Sequence, residues 1–466
     1  MERKQITNTA KLLICTWNIG VFVLVWLGYY NSFAFDRYLR LGGAVTCLIY
    51  GIIYLFLCRL YKSFRIASMS ILETVITQVI CFGIADLIMY VECVLIYNRL
   101  VNLIPANMGV CFQLAGSLLI VMSSKNYMIR HLPVQPTVVI YGKSVSTWEV
   151  KDFIRRLLEK YSHLFNIEKR ICESDLTFQL EEEIQDYSTV VLYEVSHRIR
   201  KKVMRCAVAQ KKNVYFTPSI EDITLQGCEQ KHLLDTPLMK YGYVYENLTE
   251  YRGKRLFDIG MSLIMLIVTS PVMFITALLI KLEDGGPVFF KQKRCTKDGQ
   301  VFEIIKFRSM IVDAEKHGFV PCTQGDSRIT RVGKIIRATR IDELPQLINI
   351  FKGDMSFVGP RPERIEHVEK YTKELPEFAY RMRVKGGLTG YAQIFGKYNT
   401  TAYDKLRLDL IYIENQSFLL DLKLIMLTLK IIFVPESTEG FSQEKSNLIR
   451  EKQKETVWEN GTESKR

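Results

Sequence analysis

The chain has 466 residues, room for two or three domains, with 48% apolar residues and a formal net charge of +13. That balance suits a membrane protein whose charged face meets anionic lipid and phosphorylated substrates. No zinc-finger spacing, RNA-binding signature or long basic run supports nucleic-acid binding, and 11 scattered cysteines without a C-x-x-C pair exclude a disulfide framework or a zinc site.

Four apolar stretches come first, at 12–30, 41–60, 71–97 and 101–123, each near the ~20 residues a bilayer requires. Arg3, Lys4 and Lys11 precede the first, Arg59, Lys62 and Arg65 follow the second, and Lys125 and Arg130 follow the fourth. The opposite loops carry only Arg37, Arg40 and Arg99, so the positive-inside rule places both ends of this region in the cytoplasm. The third span holds Glu73, Asp86 and Glu92; Asp86 is central and is expected to pair among the helices.

Composition turns polar after Arg130. Thr137–Tyr141, Thr189–Tyr193 and Asn213–Thr217 read as short buried strands, alternating with amphipathic stretches at Trp148–Tyr161 and Arg198–Gln210. The pattern predicts a small parallel α/β domain. The turn after its first strand, Gly142-Lys-Ser-Val-Ser146, lacks the G-x-G-x-x-G fingerprint, so no NAD site is expected.

A fifth apolar span covers 256–282, with Ser270-Pro271 at its middle, where proline predicts a kink. It either crosses the membrane or enters, turns and leaves on the same side. The following segment is rich in lysine and arginine, and the positive-inside rule favours re-entry. Lys306 and Arg308 then alternate with apolar residues, which puts both on one side of an extended segment, either a solvated face or a pair able to neutralise a pyrophosphate.

Two adjacent carboxylates, Asp342 and Glu343, precede a short helix that Pro345 opens and Gly353 closes. Read blandly, they cap that helix, with Thr339 completing a capping box. Read chemically, the helix start attracts phosphate and Asp342 stays ionised beside it. Glu343 can hold a hard cation such as Mg²⁺. Gly359-Pro-Arg-Pro362 presents Arg361 as a phosphate fork.

Taken together, Gly286-Pro-Val-Phe-Phe290, Gln292-x-Arg294, Lys306-Phe-Arg-Ser-Met310, Arg340-x-Asp-Glu-Leu-Pro-Gln-Leu347, Lys352-Gly-Asp-Met-Ser356 and Val358-Gly-Pro-Arg-Pro362 resemble, in this order, the bacterial polyprenyl-phosphate hexose-1-phosphate transferases, the monotopic phosphoglycosyl transferases. The resemblance is specific across Arg252–Val434 and architectural before it. The chain departs from the family pattern at Thr296, where glycine is common, and at Gly386, where proline is usual. Leu406–Ile413 and Asn415–Asp421 follow the family order. Ser417–Val434 reads as a helix lying in the membrane interface or packed on a core, and the tail from Glu436 as disordered.

The resemblance implies a fold class: a four-helix transmembrane region (1–130), a degenerate Rossmann-like α/β domain (131–250), a transferase domain (251–435) with a re-entrant helix at 256–282 broken at Ser270 and Pro271, and a tail (436–466). It implies transfer of a sugar 1-phosphate from a UDP-sugar to undecaprenyl phosphate, with UMP released, at the start of exopolysaccharide, capsule or O-antigen synthesis. Asp342 would be the nucleophile and Glu343 the Mg²⁺ ligand. Arg361, Lys306, Arg308 and Arg294 would bind substrate phosphates. The partners would be UDP-sugar, undecaprenyl phosphate and the lipid bilayer, with a homodimer as an option. The location would be the bacterial inner membrane, with catalysis on the cytoplasmic face. A membrane scaffold that senses nucleotide sugars without turnover is the alternative.

Overall fold

The computed structural model describes residues 2–33, 36–67, 69–176, 180–233, 236–241, 253–312, 314, 326–396 and 400–432. The chain divides into two compact units, residues 1–218 and 219–466. The expected disordered tail from Glu436 lies outside the described residues.

The first unit opens with four apolar helices, α1 (Glu2–Gly28), α2 (Asp36–Leu60), α3 (Ile71–Tyr97) and α4 (Ile104–His131), each long and apolar enough to cross a membrane. A polar chain links them. Asn18 on α1 donates to Tyr54 OH (2.9 Å) and Ser117 Oγ (3.0 Å), and Tyr54 OH donates to Gln78 Oε1 (2.7 Å). Gln113 Nε2 donates to Tyr50 OH at 2.9 Å. In an apolar surround such bonds fix helix register, because the alternative is a buried unpaired group.

An α/β domain follows: β1 (Gln135–Tyr141), α5 (Thr147–Tyr161), β2 (Phe165–Cys172), α6 (Leu180–Ile184), β3 (Thr189–Tyr193), α7 (His197–Ala209) and β4 (Asn213–Phe216). Its sheet is parallel throughout, in the order β2-β1-β3-β4. The expected strands are β1, β3 and β4. Strand β2 escapes a reading by hydrophobic runs because it is an edge strand with mostly exposed or half-buried side chains. Ligands of such sheets bind where strand order reverses, here between β1 and β3. Two backbone N–H groups at that crevice, of Lys143 and Ser196, donate to Glu173 Oε1 (3.2 Å) and Oε2 (3.0 Å), so a side chain of this domain already sits where an anion would.

The second unit begins at Ser219. Helix α8 (Ile220–Thr224) buries Ile220 and Ile223 in the same core as Leu347, Ile350, Phe357, Leu406 and Leu410. Then come the hairpin β5 (Glu229–Leu233) and β6 (Thr236–Lys240), helix α9 (Gly253–Asp284) and the antiparallel pair β7 (Phe289–Cys295) and β8 (Val301–Phe307). Helices α10 (Arg331–Ala338) and α11 (Gln346–Lys352), strand β9 (Ser356–Val358) and helix α12 (Ile365–Glu374) follow. Strand β10 (Gly387–Thr389) pairs with β9 in parallel, and α13 (Tyr391–Phe395), α14 (Ala402–Glu414) and α15 (Phe418–Ile432) complete the unit. Helix α15 packs Leu420, Leu424, Ile425 and Leu427 on the core while Phe418 and Leu419 stay exposed.

Helix α9 runs without interruption through the expected break at Ser270 and Pro271. Pro271 has no N–H for the carbonyl of Ile267 one turn back. Ser270 Oγ donates to that same carbonyl at 2.8 Å and supplies the missing bond, which lets the helix continue. Both ends of α9 are tied to the second unit. Arg255 donates to the Ile350 and Phe351 carbonyls, and Lys254 to Val358 O, Tyr412 OH and Asp421 Oδ2. At the other end Asp284 pairs with Arg308, and Glu283 Oε1 accepts the Arg331 N–H.

Candidate active site

Asp342 and Glu343 do not cap a helix. They lie in a 3₁₀ turn, Ile341–Glu343, that Arg340 opens in the left-handed region (φ 58°). Thr339 ends α10 by donating to the Ile335 carbonyl and makes no capping box; α11 starts only at Gln346. The tight turn sends the two adjacent carboxylates into different surroundings.

Glu343 Oε1 accepts from Lys306 Nζ at 2.9 Å and from Arg361 Nη2 at 2.8 Å. Burial pushes its carboxyl up, but Arg361 and Lys306 outweigh burial and hold it well below the usual range. It is therefore ionised at neutral pH. By linkage, a carboxyl depressed in the fold lends stability that is present above its unfolded pKa and is lost as pH falls through its folded value. Burial lowers the Lys306 ammonium; Glu343 opposes that shift and Arg361 reinforces it.

Asp342 goes the other way. Burial raises its pKa above the 3.8 of a free aspartate and the Glu343 charge adds to the rise, while Lys306, Arg337 and Arg340 partly offset both. Its Oδ1 is buried and has no hydrogen-bond partner. The expectation of a carboxylate stabilised by a helix start thus gives way to a desolvated one beside a like charge. Two carboxyls with environments that push their pKa values apart are the arrangement in which one can react while the other holds cations.

The remaining candidates divide. Arg361 and Lys306 are at the dyad. Arg294 is one shell away: its Nη1 donates to the Pro362 carbonyl at 3.2 Å and its Nη2 to Gln292 Oε1 at 2.6 Å, which steadies the turn that carries Arg361. Arg308 is committed elsewhere. It is buried, its Nη1 donates to Asp284 Oδ2 at 2.7 Å and its Nε to the Pro287 carbonyl at 2.7 Å. Alternation put Lys306 and Arg308 on one side, yet the first faces the dyad and the second locks the end of α9.

Residues that the motifs did not single out hold Arg361 in place. Arg381 donates to the Arg361 carbonyl (3.0 Å), pairs with Asp409 (2.7 Å) and lies 3.5 Å from Glu363. Burial raises Asp409 to about 6 against the pull of Arg381. Each of these groups sits alone among ordinary neighbours in the sequence, and only their convergence marks them.

The turn at 359–362 fits the block at 386–390 backbone against backbone. A Cβ on Gly359 would lie 2.3 Å from the Lys385 carbonyl oxygen, and one on Gly387 2.1 Å from Gly359 N, so neither position tolerates a side chain. The two departures from the family pattern meet here. Gly386 N–H donates to Thr296 Oγ1 at 3.1 Å in a buried setting, and Thr296 Oγ1 donates to the Asp354 carbonyl at 3.1 Å. A proline at 386 would have no N–H to offer, and a glycine at 296 no hydroxyl to receive it.

Among the described residues no cluster of three or more His, Cys, Asp or Glu side chains is placed to hold a metal by itself. Mg²⁺ does not need one, since it is commonly held by one or two carboxylates together with substrate phosphates. The ionised Glu343 and the unpartnered Asp342 Oδ1 are hard oxygen donors of that kind.

A bacterial sugar transferase family profile matches residues 249–435. A UDP-N-acetylgalactosamine-undecaprenyl-phosphate N-acetylgalactosaminephosphotransferase of Aeromonas hydrophila is 46% identical over 231 residues, 49% of this chain and 54% of the relative. A UDP-glucose:undecaprenyl-phosphate glucose-1-phosphate transferase of Klebsiella pneumoniae is 37% identical over 239 residues, 50% of each chain. The exopolysaccharide production protein PSS of Rhizobium leguminosarum bv. phaseoli is 40% identical over 196 residues, 40% of this chain and 96% of the relative. The chain thus spans about half the length of the first two relatives and nearly all of the third.

The Thr296 contact makes a stability prediction. Thr296→Val keeps the shape but leaves the Gly386 N–H buried and unpaired, a loss of about 1–3 kcal/mol. Thr296→Ser retains the hydroxyl and should stay near wild type. Denaturant titration of the purified protein reads both; a valine variant as stable as wild type would remove this role.

Proposed function

The chain belongs to the bacterial sugar transferase family, and we propose that it transfers a sugar 1-phosphate from a UDP-sugar to undecaprenyl phosphate, giving undecaprenyl-diphosphate-sugar and UMP. One observation supports the reading most: Asp342 presents a desolvated, unpartnered oxygen beside a Glu343 that two cations keep ionised. A desolvated carboxylate is a stronger nucleophile than a hydrated one. The relatives' names supply the substrates, and exopolysaccharide or capsule synthesis is the process they point to.

The reaction runs in two displacements. An Asp342 oxygen attacks the phosphorus that bears the sugar, the bond to UMP breaks, and UMP leaves with the electron pair. An oxygen of undecaprenyl phosphate then attacks the same phosphorus, and the acyl-phosphate bond breaks to return the Asp342 carboxylate. Arg361 and Lys306 are placed to meet the charge on the phosphate oxygens, the main contribution a protein makes to phosphoryl transfer. Mg²⁺, held by Glu343, would neutralise the diphosphate. Arg381 and Arg294 keep Arg361 in position.

The four apolar helices form the membrane-spanning bundle in this reading, and the catalytic unit lies on the cytoplasmic face of the inner membrane. In this reading helix α9 enters and returns on one side by bending at Pro271, where a proline kinks a helix without ending it. Its support is that Lys254 and Arg255 at one end and Glu283 and Asp284 at the other bind groups of the same unit, while residues between them, such as Ile267, Val268 and Phe274, are exposed.

The mechanism is tested without lipid acceptor. Enzyme given its UDP-sugar and Mg²⁺ should release UMP up to about one per site, the burst of a covalent route. Asp342→Asn should release none, and a chelator should suppress the wild-type burst. UMP release that demands undecaprenyl phosphate would overturn the two-step order.

Acidity supplies a second check. Because the Asp342 pKa is raised, the acid limb of the rate profile should lie above that of an ordinary aspartate. Arg337 helps to hold Asp342 ionised, so Arg337→Gln should move the limb to higher pH. A limb that moves down, or does not move, contradicts the assignment.

Topology is read with an impermeant thiol reagent on a cysteine placed at Asp298. It should stay unlabelled in intact cells and react after permeabilisation; labelling from outside would mean that α9 crosses.

A further inference from the structure

Gln346 is buried, with 2% of its surface exposed, and its amide nitrogen has no hydrogen-bond partner. It stands four residues after Asp342, whose Oδ1 is also buried and unpartnered. The turn bonds across this stretch run three residues back, from Leu344 N–H to Ile341 O and from Leu347 N–H to Leu344 O, a spacing that sets Gln346 over Glu343. A donor and an acceptor, each short of a partner, therefore stand on either side of Glu343 in the chain and do not bond to one another. Leaving a buried amide unpaired is costly.

The face of α11 that carries Gln346 is defined by Asn349, three residues further on. Asn349 Oδ1 accepts from Ile305 N at 3.0 Å and its Nδ2 donates to the Glu303 carbonyl at 2.8 Å, so this side of α11 faces strand β8. The same strand sends Lys306 to Glu343. Gln346 thus stands one turn from Asn349 and one turn from Glu343, the residue that Lys306 of β8 approaches.

We infer that Gln346 is a catalytic residue that donates its amide N–H to a non-bridging oxygen of the phosphate undergoing transfer. The inference rests on the two-displacement reading above. As the Asp342 oxygen bonds to phosphorus and the bond to UMP breaks, charge spreads over the equatorial oxygens. A donor preset in a desolvated site is worth most at that moment, and removal of one such donor typically costs 10²–10³-fold in rate. The pairing of roles also explains the two unmet atoms: the nucleophile keeps its lone pair free and the donor keeps its N–H free until substrate arrives.

Two variants test it in the full-length protein, with pre-steady-state UMP release from the UDP-sugar and thermal unfolding measured on the same samples. Wild type must show release without lipid; if it does not, the two-displacement reading fails and the Gln346 variants are not at issue. Given that release, Gln346→Met removes the donor and keeps the shape. Its release rate should fall about 100-fold at saturating UDP-sugar, with KM little changed and Tm equal or higher, since the unpaired buried amide is gone. Gln346→Glu replaces the donor with an oxygen that repels phosphate, and should be slower than the methionine variant. Unchanged release in Gln346→Met would overturn the inference. So would a fall in Tm that accompanies the rate loss in both variants, because a structural glutamine would give that result.

Discussion

Glu343 is the point on which the second unit turns. It joins three separated stretches at one carboxylate oxygen: its own 3₁₀ turn, Lys306 at the end of β8 and Arg361 in the proline-flanked turn. A buried ion pair is costly to assemble and more costly to break, because loss of one partner strands a charge. Here two cations share one anion, so the three groups together carry net positive charge. Asp342 is left outside that pairing, and burial together with the adjacent anion raises it. One turn of backbone thereby separates an ion-paired carboxylate from a desolvated, unpartnered one.

The long apolar helix α9 is built into the same arrangement. Lys254 gives its three donors to Val358 O, Tyr412 OH and Asp421 Oδ2, a full complement for an ammonium. Asp258, one turn on, accepts the Phe357 N–H at 3.1 Å. Both contacts grip β9, and β9 runs directly into Gly359-Pro360-Arg361. The N-terminal end of α9 therefore sets the strand that aims the guanidinium. At the opposite end Arg308 clamps Asp284, so the basic residue that looked like a second phosphate ligand anchors the helix instead.

In the α/β domain a side chain of the chain itself takes up the donors at the sheet's crevice. Its strand order creates a crevice, and Glu173 occupies the N–H groups there. Those two bonds hold the Glu173 carboxyl below its usual pKa although burial opposes them. A carboxylate of the chain and a phosphate of a ligand satisfy the same donors, so the fold is stable with the crevice filled from within.

The sequence by itself determined the local facts. Lengths of apolar residues marked five helices able to span a bilayer, hydrophobic runs marked β1, β3 and β4, and the order of short motifs marked the dyad and Arg361. The polar edge strand β2, the start of the second unit at Ser219 and the continuity of α9 through Pro271 were not legible, because edge exposure, core sharing and a hydroxyl's choice of carbonyl are not periodic. Only tertiary structure decided which cation serves which anion. Lys306 and Arg308 have the same local pattern and opposite destinations, and Arg381, Asp409 and Glu363 acquire a role only by meeting. The physical reason is range: periodicity reports which way a side chain leaves its own backbone, whereas ion pairing depends on what another stretch of chain, tens of residues away, brings to within 3 Å.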